Sequence, residues 1–437
     1  MSSDDPADVV VVGAGVSGLC LTHFLRSKGI DVVTFESEPE PGGVIDSETV
    51  DARLVENGPQ RMRYTDDVEK LVESLGIDDE VIEARMEVPM YVYFNSELRL
   101  VPFSASEFLR TDVLSLGGKL RLLVEPLTDG AKPDETAGDM FTRKFGGEAY
   151  ENVIEPLFGG LYGSDPDEMY VRHSLSRLRR MEEKEGSLLK PMLRRGLSGD
   201  ARTPAVSFED GMQTFTDAIY DENSDAVELG RGVVGIDEKE EEGYVVETED
   251  GEVETERIVV TTPAYVAADL LEDIDAETSE SLRSLNYNSV GLIHLRSPEC
   301  DVEGFGYQIR KDEEYTTLGV TFNDSIFDAD NRDGIYTAFV GGVWNPEAVT
   351  ADNSELEEIT TQEFEEITGC DAELINVSRW VDGMPSYDTS WEALDGLETP
   401  EGIRLCSNYI SGVGVPTRLR EARQTADEIA REVSHDG

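Results

Sequence analysis

The stretch VVVVGAGVSG, from Val9 to Gly18, decides the fold of this chain. Its valine run predicts a buried parallel strand, and the run ends on the pattern G-x-G-x-x-G. A helical pattern from Val16 to Lys28 follows, and a second apolar strand, Val32–Phe35, leads to the acidic residue Glu36. Strand, glycine turn, helix, strand and acid in this order predict the βαβ unit that binds dinucleotides.

The residues of this unit have separate predicted tasks. Gly13 permits the tight turn, Gly15 lets backbone N–H groups approach a pyrophosphate, and Gly18 lets helix and strand pack closely. The carboxylate of Glu36 lies where it would bind a ribose diol and repel a 2′-phosphate. The unit alone does not distinguish NAD from FAD. Its predicted cofactor-binding residues are Gly13, Ala14, Gly15, Val16, Ser17, Gly18, Glu36 and Ser37.

The chain is strongly acidic, with 93 acidic residues against 37 basic ones and a net charge of −56. The acids are spread along the whole chain, so phosphates would be repelled and we expect no nucleic-acid partner. Strand and helix patterns persist throughout, which argues against a disordered chain. The composition resembles that of proteins from salt-accumulating halophiles, in which concentrated salt screens the self-repulsion.

Composition also gives expectations for the compartment. The start, Met1–Pro6, lacks the basic and apolar parts of a signal peptide, and no apolar run reaches the roughly 18 residues of a membrane span. Four cysteines and four histidines are scattered without metal-ligand spacing. We therefore expect no disulfide framework, no metal site and a cytoplasmic location.

Strand patterns at both ends of the chain predict one Rossmann-like nucleotide-binding domain assembled from separated segments. A substrate domain with a mixed sheet and a helical insertion lie between these segments, so the fold class is α/β. The predicted boundaries are 8–83, 205–265 and 396–435 for the nucleotide-binding domain, 84–104 and 266–395 for the substrate domain, and 105–204 for the helical domain.

Further motifs follow the βαβ unit in order along the chain. They are ESEPEPGG (36–43), ENGPQ (56–60), VIEPLFGGLYGSDP (153–166), LGVTFNDSIF (318–327) and GVGV (412–415). In these motifs the chain resembles the flavin-dependent oxidases of the monoamine-oxidase superfamily. Within that superfamily it is most similar to the protoporphyrinogen and coproporphyrinogen oxidases, over nearly its whole length.

The resemblance implies an FAD-binding domain of the monoamine-oxidase type. Gly42 and Gly43 would continue the ligand site beyond Glu36, and the helix after Gly414 would direct its N-terminal dipole at the flavin. An aromatic residue near the flavin corresponds to Trp391, with Trp380 as the competing position. The implied FAD-binding residues beyond the βαβ unit are Gly42, Gly43, Val44, Gly58, Pro59, Gln60, Arg61, Val233, Trp391, Val413, Gly414 and Val415.

The resemblance also implies the reaction. These oxidases remove hydrogens from the bridging carbons of protoporphyrinogen IX or coproporphyrinogen III, with hydride passing to flavin N5 and oxygen reoxidising the flavin. This chemistry requires no strong side-chain base, and none is indicated. Relatives often carry arginine where this chain has Gln60, which leaves Arg61 and Arg63 as the candidates for binding propionates. Tyr307 is the third candidate for substrate binding.

Other functions stay open at this point. An amine oxidase would carry a lysine near flavin N5, and the segment from Ser284 to Arg310 contains none. A carotenoid desaturase shares the nucleotide-binding fold but does not account for Asp165-Pro166 and Gly341-Gly342. Because this chain has Gln60 where relatives often carry arginine, a non-catalytic protein that binds flavin or porphyrin also stays open as an alternative.

The expected partners are a porphyrinogen and molecular oxygen, in a monomer or a homodimer. Leucines around the start of the helical insertion would permit peripheral contact with a membrane, but we favour a role for them in the core of that domain. These residues are Leu98, Leu100, Phe108, Leu109, Leu114, Leu116, Leu120, Leu122 and Leu123.

The acidic composition predicts a dependence on salt. We expect transfer from molar to millimolar salt to unfold the protein or release its flavin, because the Debye length rises from about 3 Å at 1 M to about 30 Å at 0.01 M. Melting temperature and bound-flavin absorbance, both measured across this range, test the expectation. An unchanged melting temperature would contradict it.

Overall fold

The computed structural model describes residues 6–191, 194, 203–240 and 242–436. The strands are β1 (Val9–Val12), β2 (Val32–Phe35), β3 (Ser47–Val50), β4 (Arg53–Glu56), β5 (Met62–Arg63), β6 (Val81–Glu83), β7 (Met90–Phe94), β8 (Glu97–Leu100), β9 (Ala205–Phe208), β10 (Val227–Glu228), β11 (Val233–Glu238), β12 (Tyr244–Thr248), β13 (Gly251–Thr255), β14 (Ile258–Val260), β15 (Tyr287–Arg296), β16 (Gly306–Ile309), β17 (Thr317–Phe322), β18 (Ile335–Gly341), β19 (Glu373–Pro385) and β20 (Ile403–Leu405).

The α-helices are α1 (Val16–Ser27), α2 (Asp66–Leu75), α3 (Ala105–Arg110), α4 (Leu116–Leu123), α5 (Ala137–Phe145), α6 (Gly147–Ala149), α7 (Glu155–Tyr162), α8 (Val171–Ser174), α9 (Ser176–Glu185), α10 (Gln213–Asn223), α11 (Ala264–Leu271), α12 (Ala276–Arg283), α13 (Asn323–Ile326), α14 (Asn353–Thr368), α15 (Asn408–Ser411) and α16 (Val415–Asp436). A π-helical turn, Tyr150–Ile154, precedes α7. Part of the predicted helical domain, residues 192–193 and 195–202, lies outside the described residues.

A five-stranded parallel sheet in the order β10-β2-β1-β14-β20 carries the first glycine turn. The valines of β1 are buried on both faces, as the apolar run predicts for a central parallel strand. Helices α1 and α16 cover one face, where Leu19 and Leu25 share a core with Leu419 and Ile429. The first and last segments of the chain therefore form one layer, and the predicted Rossmann-like α/β fold is confirmed.

A seven-stranded mixed sheet in the order β19-β15-β18-β17-β16-β7-β8 forms the second large layer. Its β7 and β16 pair in parallel, whereas the remaining neighbours pair antiparallel. Helix α14 covers one face through Leu356 and Phe364. The separation of the strands into these two sheets supports the predicted division of the chain into domains, which remains a proposal.

Helix α7 joins the helical insertion to the seven-stranded sheet through two glycines. A Cβ atom added to Gly159 would lie 1.9 Å from the ring of Trp344, and one added to Gly160 would lie 1.7 Å from Oε1 of Gln308. The Trp344 ring excludes a side chain at Gly159, and a side chain at Gly160 would have to displace the end of Gln308. The motif FGGLYG therefore has a packing role, because it lets this helix lie directly on the sheet.

The apolar residues at the start of the helical insertion form its core only in part. Leu114 is buried and Leu98, Leu100, Phe108 and Leu122 are half-buried. The others face solvent: Leu109, Leu116, Leu120 and Leu123. The short helices α3 and α4 therefore each leave part of their apolar side exposed. None of the described helices is long and apolar enough to cross a membrane.

A disulfide joins Cys300 to Cys370, 70 residues away in the sequence. The expectation of no disulfide is therefore wrong for this pair. The cross-link connects the loop after β15 to the loop between α14 and β19, beside the core under the seven-stranded sheet. Sequence spacing could not reveal it because the two cysteines meet only through the pairing of β15 with β19. The other two cysteines, Cys20 and Cys406, are free and buried.

Candidate functional site

The glycine turn after β1 leaves an open space at the carboxyl edge of the five-stranded sheet. Gly13 has a left-handed backbone with φ +100°, and a Cβ added to Gly18 would lie 1.9 Å from the carbonyl oxygen of Gly13. These two glycines are required by the backbone itself. Gly15 differs, because an added Cβ would meet nothing within 4 Å. Its missing side chain leaves room for a ligand rather than for protein.

Two helix N-termini in this layer have no acidic residue in their first turn. Helix α1 begins after Gly15, has no side-chain cap and has no acidic residue in its first turn. The first turn of α16 also lacks acidic residues. In a chain of net charge −56, both helices keep their N–H groups and positive dipole ends available to an anionic or electron-rich group.

Glu36, at the end of β2, turns its carboxylate back onto the glycine turn. Its Oε2 accepts from the backbone N–H of Ala14 at 2.7 Å, and its Oε1 accepts from Ser37 Oγ at 3.1 Å and from the backbone N–H of Glu38 at 3.0 Å. The loop that leads to Val233 runs alongside Ser37, because a Cβ atom added to Gly232 would lie 3.2 Å from Cβ of Ser37. The acid, Ser37 and the start of β11 are thus neighbours, as predicted.

A second glycine segment continues the same space. The backbone N–H of Gly42 donates to Ala14 O at 2.9 Å, and a Cβ added to Gly43 would lie 3.2 Å from Cα of Gly15. A Cβ added to Gly58 would lie 1.7 Å from the carbonyl oxygen of Val44. Three segments that are separated in sequence therefore pack backbone to backbone beside the open space at Gly15, and we call the surface that they form the trough.

Loop 57–60 closes the far end of this trough. The side chain of Gln60 is buried, with 6% exposure, and its Nε2 has no hydrogen-bond acceptor among the described residues. Leaving a buried amide donor without a partner costs about 1–3 kcal/mol. A ligand with an acceptor atom at this point would remove that cost.

Glu56, directly before the loop, is a buried carboxylate between the two layers. Burial raises its pKa to about 7, although hydrogen bonds and Arg332 favour the ionised form. It accepts from Ser47 Oγ at 2.6 Å and from the backbone N–H of Met212 at 3.0 Å, and Arg332 Nη2 lies 3.6 Å from its Oε1. These contacts fix the strand that leads into loop 57–60.

The C-terminal side of the site is the turn between α15 and α16. Gly412 has φ +113°, and a Cβ added to it would lie 3.4 Å from the hydroxyl of Tyr387. Val415 begins α16 and buries its side chain in the core beneath the five-stranded sheet. Val413 and Gly414 therefore present backbone at the helix N-terminus, where the flavin motif was predicted.

Trp380 contacts the predicted cofactor loop, whereas Trp391 does not. The indole N–H of Trp380 donates to the carbonyl oxygen of Asn57. Trp391 is buried, its indole N–H donates to Ser386 O at 2.7 Å, and its ring stacks on Tyr387 with centroids 4.7 Å apart. Tyr387 thus separates Trp391 from the turn at Gly412. Of the two competing tryptophans, the structure favours Trp380.

The three predicted substrate-binding residues lie in different surroundings. The guanidinium of Arg61 lies 4.3 Å from the centroid of the Phe305 ring, directly after loop 57–60. Arg63 is exposed and donates to Thr203 O at 3.0 Å. Tyr307 is fully buried with its ring against Phe322, in the core that α14 covers. Tyr307 is therefore a core residue of the seven-stranded sheet rather than a ligand of substrate.

Sequence reasoning missed Asn57 and Phe305 as parts of the site, and it gave Trp380 only as the competing position for the aromatic residue. The motif ENGPQ contains Asn57, but its partners lie more than 300 residues away on β19. Gly304 and Gly306, which flank Phe305, were the signal for that residue. Both have positive φ, and an added Cβ in either position would meet backbone within 3 Å.

The residues present fit FAD. The opening at Gly15 and the N-terminus of α1 suit a pyrophosphate, the Glu36 carboxylate suits a ribose, and the unpaired amide of Gln60 suits a polar ring edge. The trough from Gly13 through Gly43 to Gly58 gives the ligand an extended course. The N-terminus of α16 would then lie at the ring end, as the GVGV motif implies.

The contrast between Gly15 and Gly18 gives a test of the trough. We expect Gly15→Ala to fold normally but to bind FAD more weakly, because its Cβ enters only ligand space. Gly18→Ala should lower the melting temperature of the apoprotein, because overpacking against the Gly13 carbonyl costs about 1–3 kcal/mol. Melting curves measure the stability of both variants, and FAD titration measures their affinity for the cofactor. Equal FAD affinity in Gly15→Ala and the wild type would show that the space at Gly15 is not used.

Comparison with known proteins identifies the family. The family "Flavin containing amine oxidoreductase" matches residues 16–430. Chloroplastic protoporphyrinogen oxidase of Oryza sativa subsp. japonica is 28% identical, covering 97% of this chain and 88% of its own. Coproporphyrinogen III oxidase of Bacillus subtilis (strain 168) is 23% identical, covering 98% of each chain.

Solved structures show the same fold. A crystal structure from Exiguobacterium sp. 255-15, provisionally named a protoporphyrinogen oxidase, superposes with a TM-score of 0.83 at 22% identity, over 99% of this chain and 100% of that one. A putrescine oxidase superposes with a TM-score of 0.75 at 18% identity, over 98% and 99% of the two chains. The predicted superfamily, the FAD cofactor and the oxidoreductase class are confirmed: the chain belongs to the flavin-containing amine oxidoreductases.

Proposed function

We propose that this protein is an FAD-dependent oxidase that dehydrogenates a porphyrinogen, protoporphyrinogen IX or coproporphyrinogen III, to the porphyrin of heme biosynthesis. The names of the relatives from Oryza sativa and Bacillus subtilis support this substrate class. FAD supplies the hydride acceptor when bound. The protein must then hold a large apolar ring against the flavin and neutralise its propionates.

The environment of Arg61 carries the proposal. In a chain with 93 acidic residues, this half-buried guanidinium has no carboxylate partner among the described residues. Its one protein hydrogen bond there is a long one, 3.4 Å, to Oε1 of Gln60. Burial, with the nearby charge of Arg63, lowers the pKa of Arg61 to about 10. A substrate carboxylate would supply the missing charge partner, preferably as a bidentate pair.

Phe305 supplies the apolar part of the same site. Its half-buried ring lies under the Arg61 guanidinium, so a flat substrate with a carboxylate arm would meet an aromatic face and a cation together. Gln60 adds a neutral amide next to them. An amine substrate would instead be repelled by Arg61 and Arg63, which favours the porphyrinogen over the amine alternative. Molecular oxygen as oxidant, a cytoplasmic location and the monomeric or dimeric state remain predictions.

We also propose that the exposed apolar side of α3 and α4 rests on an anionic lipid surface. Leu109, Leu116 and Leu127 are 78%, 76% and 85% exposed. The segment 98–124 has four basic and two acidic residues, whereas the whole chain has 93 acidic residues against 37 basic ones. Among the described residues, Lys119 donates only to the carbonyl oxygens of Leu109 and Thr111. An apolar side bordered by basic residues suits the interface of a bilayer.

The substrate is tested by anaerobic mixing in high salt. The flavin absorbance should bleach on addition of coproporphyrinogen III or protoporphyrinogen IX, with porphyrin absorbance appearing in parallel, and should persist on addition of putrescine. Bleaching by the amine alone would replace the proposal with amine oxidation. Failure of both porphyrinogens to bleach the flavin would refute it.

Replacement of Arg61 tests its role in the same assay. Arg61→Ala should raise KM about 10- to 100-fold and leave bound FAD unchanged, because a hydrogen bond to a charged group contributes about 1.5–3 kcal/mol. Arg53→Ala is the matched control, since that arginine is paired with Asp333 instead. Equal KM values for the wild type and Arg61→Ala would remove Arg61 from the substrate site.

Vesicle flotation tests the lipid proposal. In high salt, the protein should float with vesicles that contain phosphatidylglycerol, and Leu120→Asp should abolish flotation. Val234→Asp is the control, because Val234 is 59% exposed on β11, in the separate three-stranded sheet β11-β12-β13. Equal flotation of both variants, or none of the wild type, would contradict a lipid contact at this surface.

A further inference from the structure

Asn57 forms hydrogen bonds with two segments of the chain that are far from each other in sequence, around Asp46 and on β19. Its backbone N–H donates to Asp46 O at 2.9 Å, and its Nδ2 donates to Asp46 Oδ2 at 2.8 Å. Its Oδ1 accepts from Ser378 Oγ and, at 3.0 Å, from Asn376 Nδ2. Its carbonyl oxygen accepts from the indole N–H of Trp380. With 7% exposure, this residue is a buried junction of hydrogen bonds.

The junction connects two layers at the cofactor trough. Asp46 follows the Gly42–Gly43 segment that lines the trough, whereas Ser378 and Trp380 belong to β19 of the seven-stranded sheet. Gly58, the next residue after Asn57, packs against Val44 of the trough. The position of loop 57–60 is therefore set from the trough side by Asp46 and from the opposite side by β19.

Only an amide meets the demands of this position. Asp46 requires a donor, and Ser378 and Asn376 require an acceptor, so asparagine uses both ends of its side chain. An aspartate here would place its carboxylate against that of Asp46, and an aliphatic residue would remove the hydrogen bonds of the half-buried Asp46, Ser378 and Asn376 to this side chain. Although the chain has 93 acidic residues, this position holds a neutral amide because the amide supplies a donor and an acceptor together.

The near side of the loop is held independently. Glu56 receives bonds from Ser47 and the Met212 N–H and lies beside Arg332, so the strand entering the loop stays fixed without β19. Loss of the bonds from β19 should therefore shift loop 57–60 without unfolding the strand before it. This separation allows the positioning role to be tested apart from stability.

We propose that Asn57 is a positioning residue for the flavin-contacting loop 57–60, and that Ser378 and Trp380 hold it in place from the seven-stranded sheet. The sheet that forms the far wall of the site thereby fixes the protein groups that face the flavin ring. The inference goes beyond the proposed function. It rests on the FAD cofactor and not on the identity of the substrate, so it stands or falls separately from porphyrinogen oxidation.

The test uses two tryptophans in matched variants of the holoenzyme. Trp380→Phe and Trp391→Phe each remove one indole N–H that donates to a backbone carbonyl, but only the first lies at loop 57–60. We expect Trp380→Phe to shift the visible spectrum and midpoint potential of the bound flavin and to raise the FAD dissociation constant about two- to tenfold. Trp391→Phe should lower the melting temperature and leave all three flavin properties unchanged.

Ser378→Ala provides a milder variant in case Trp380→Phe does not fold. It removes one bond to Asn57 and should shift the flavin spectrum and potential in the same direction as Trp380→Phe. A dithionite titration measures the potential without any substrate. Unchanged spectra and potentials in Ser378→Ala and Trp380→Phe would overturn the proposal and leave these residues a purely structural role. Equal shifts in Trp380→Phe and Trp391→Phe would overturn it as well.

Discussion

The close packing of α1 onto β1 is the constraint on which the rest of the structure depends. A Cβ atom on Gly18 would lie 1.9 Å from the carbonyl oxygen of Gly13, and Gly13 itself has φ +100°, so neither position tolerates a side chain. Their contact aims the N-terminus of α1 along the carboxyl edge of the five-stranded sheet. Helix α16 packs beside α1, so the last segment of the chain reaches the same edge. The trough for FAD exists because the two ends of the chain meet there.

Charge is distributed around this trough in a selective way. The chain has 93 acidic residues, yet the first turns of α1 and α16 have none, and Glu36 is directed at a backbone N–H. The site thus keeps its positive dipole ends and the guanidinium of Arg61 for ligands. Acidic residues elsewhere can accumulate without cost to binding when salt screens them. The same screening would allow a basic and apolar side on α3 and α4 to approach anionic lipid.

Local patterns predicted the parts of the fold that depend on neighbouring residues. The strand and glycine turn at Val9–Gly18, the helix that begins at Val16 and the strand Val32–Phe35 all form as expected. The predictions that differ from the structure concern the side of a strand or helix that a residue faces, and contacts between distant segments. Tyr307 and Gln308 alternate on β16, and nothing local decides which of them faces α14. The exposure of Leu116 and the pairing of Cys300 with Cys370 depend on contacts that only the assembled layers create.

The candidate site shows the same division between local and distant causes. Gly13, Gly15 and Glu36 are set by a short motif, and the sequence predicted their arrangement. The ring end of the site is different, because Trp380 and Phe305 reach loop 57–60 only through the register of the seven-stranded sheet. A one-residue shift of β19 would turn Trp380 away from Asn57 and break the junction. The adenosine end of the site is therefore encoded by a motif, whereas the reacting end is encoded by how the two sheets pack.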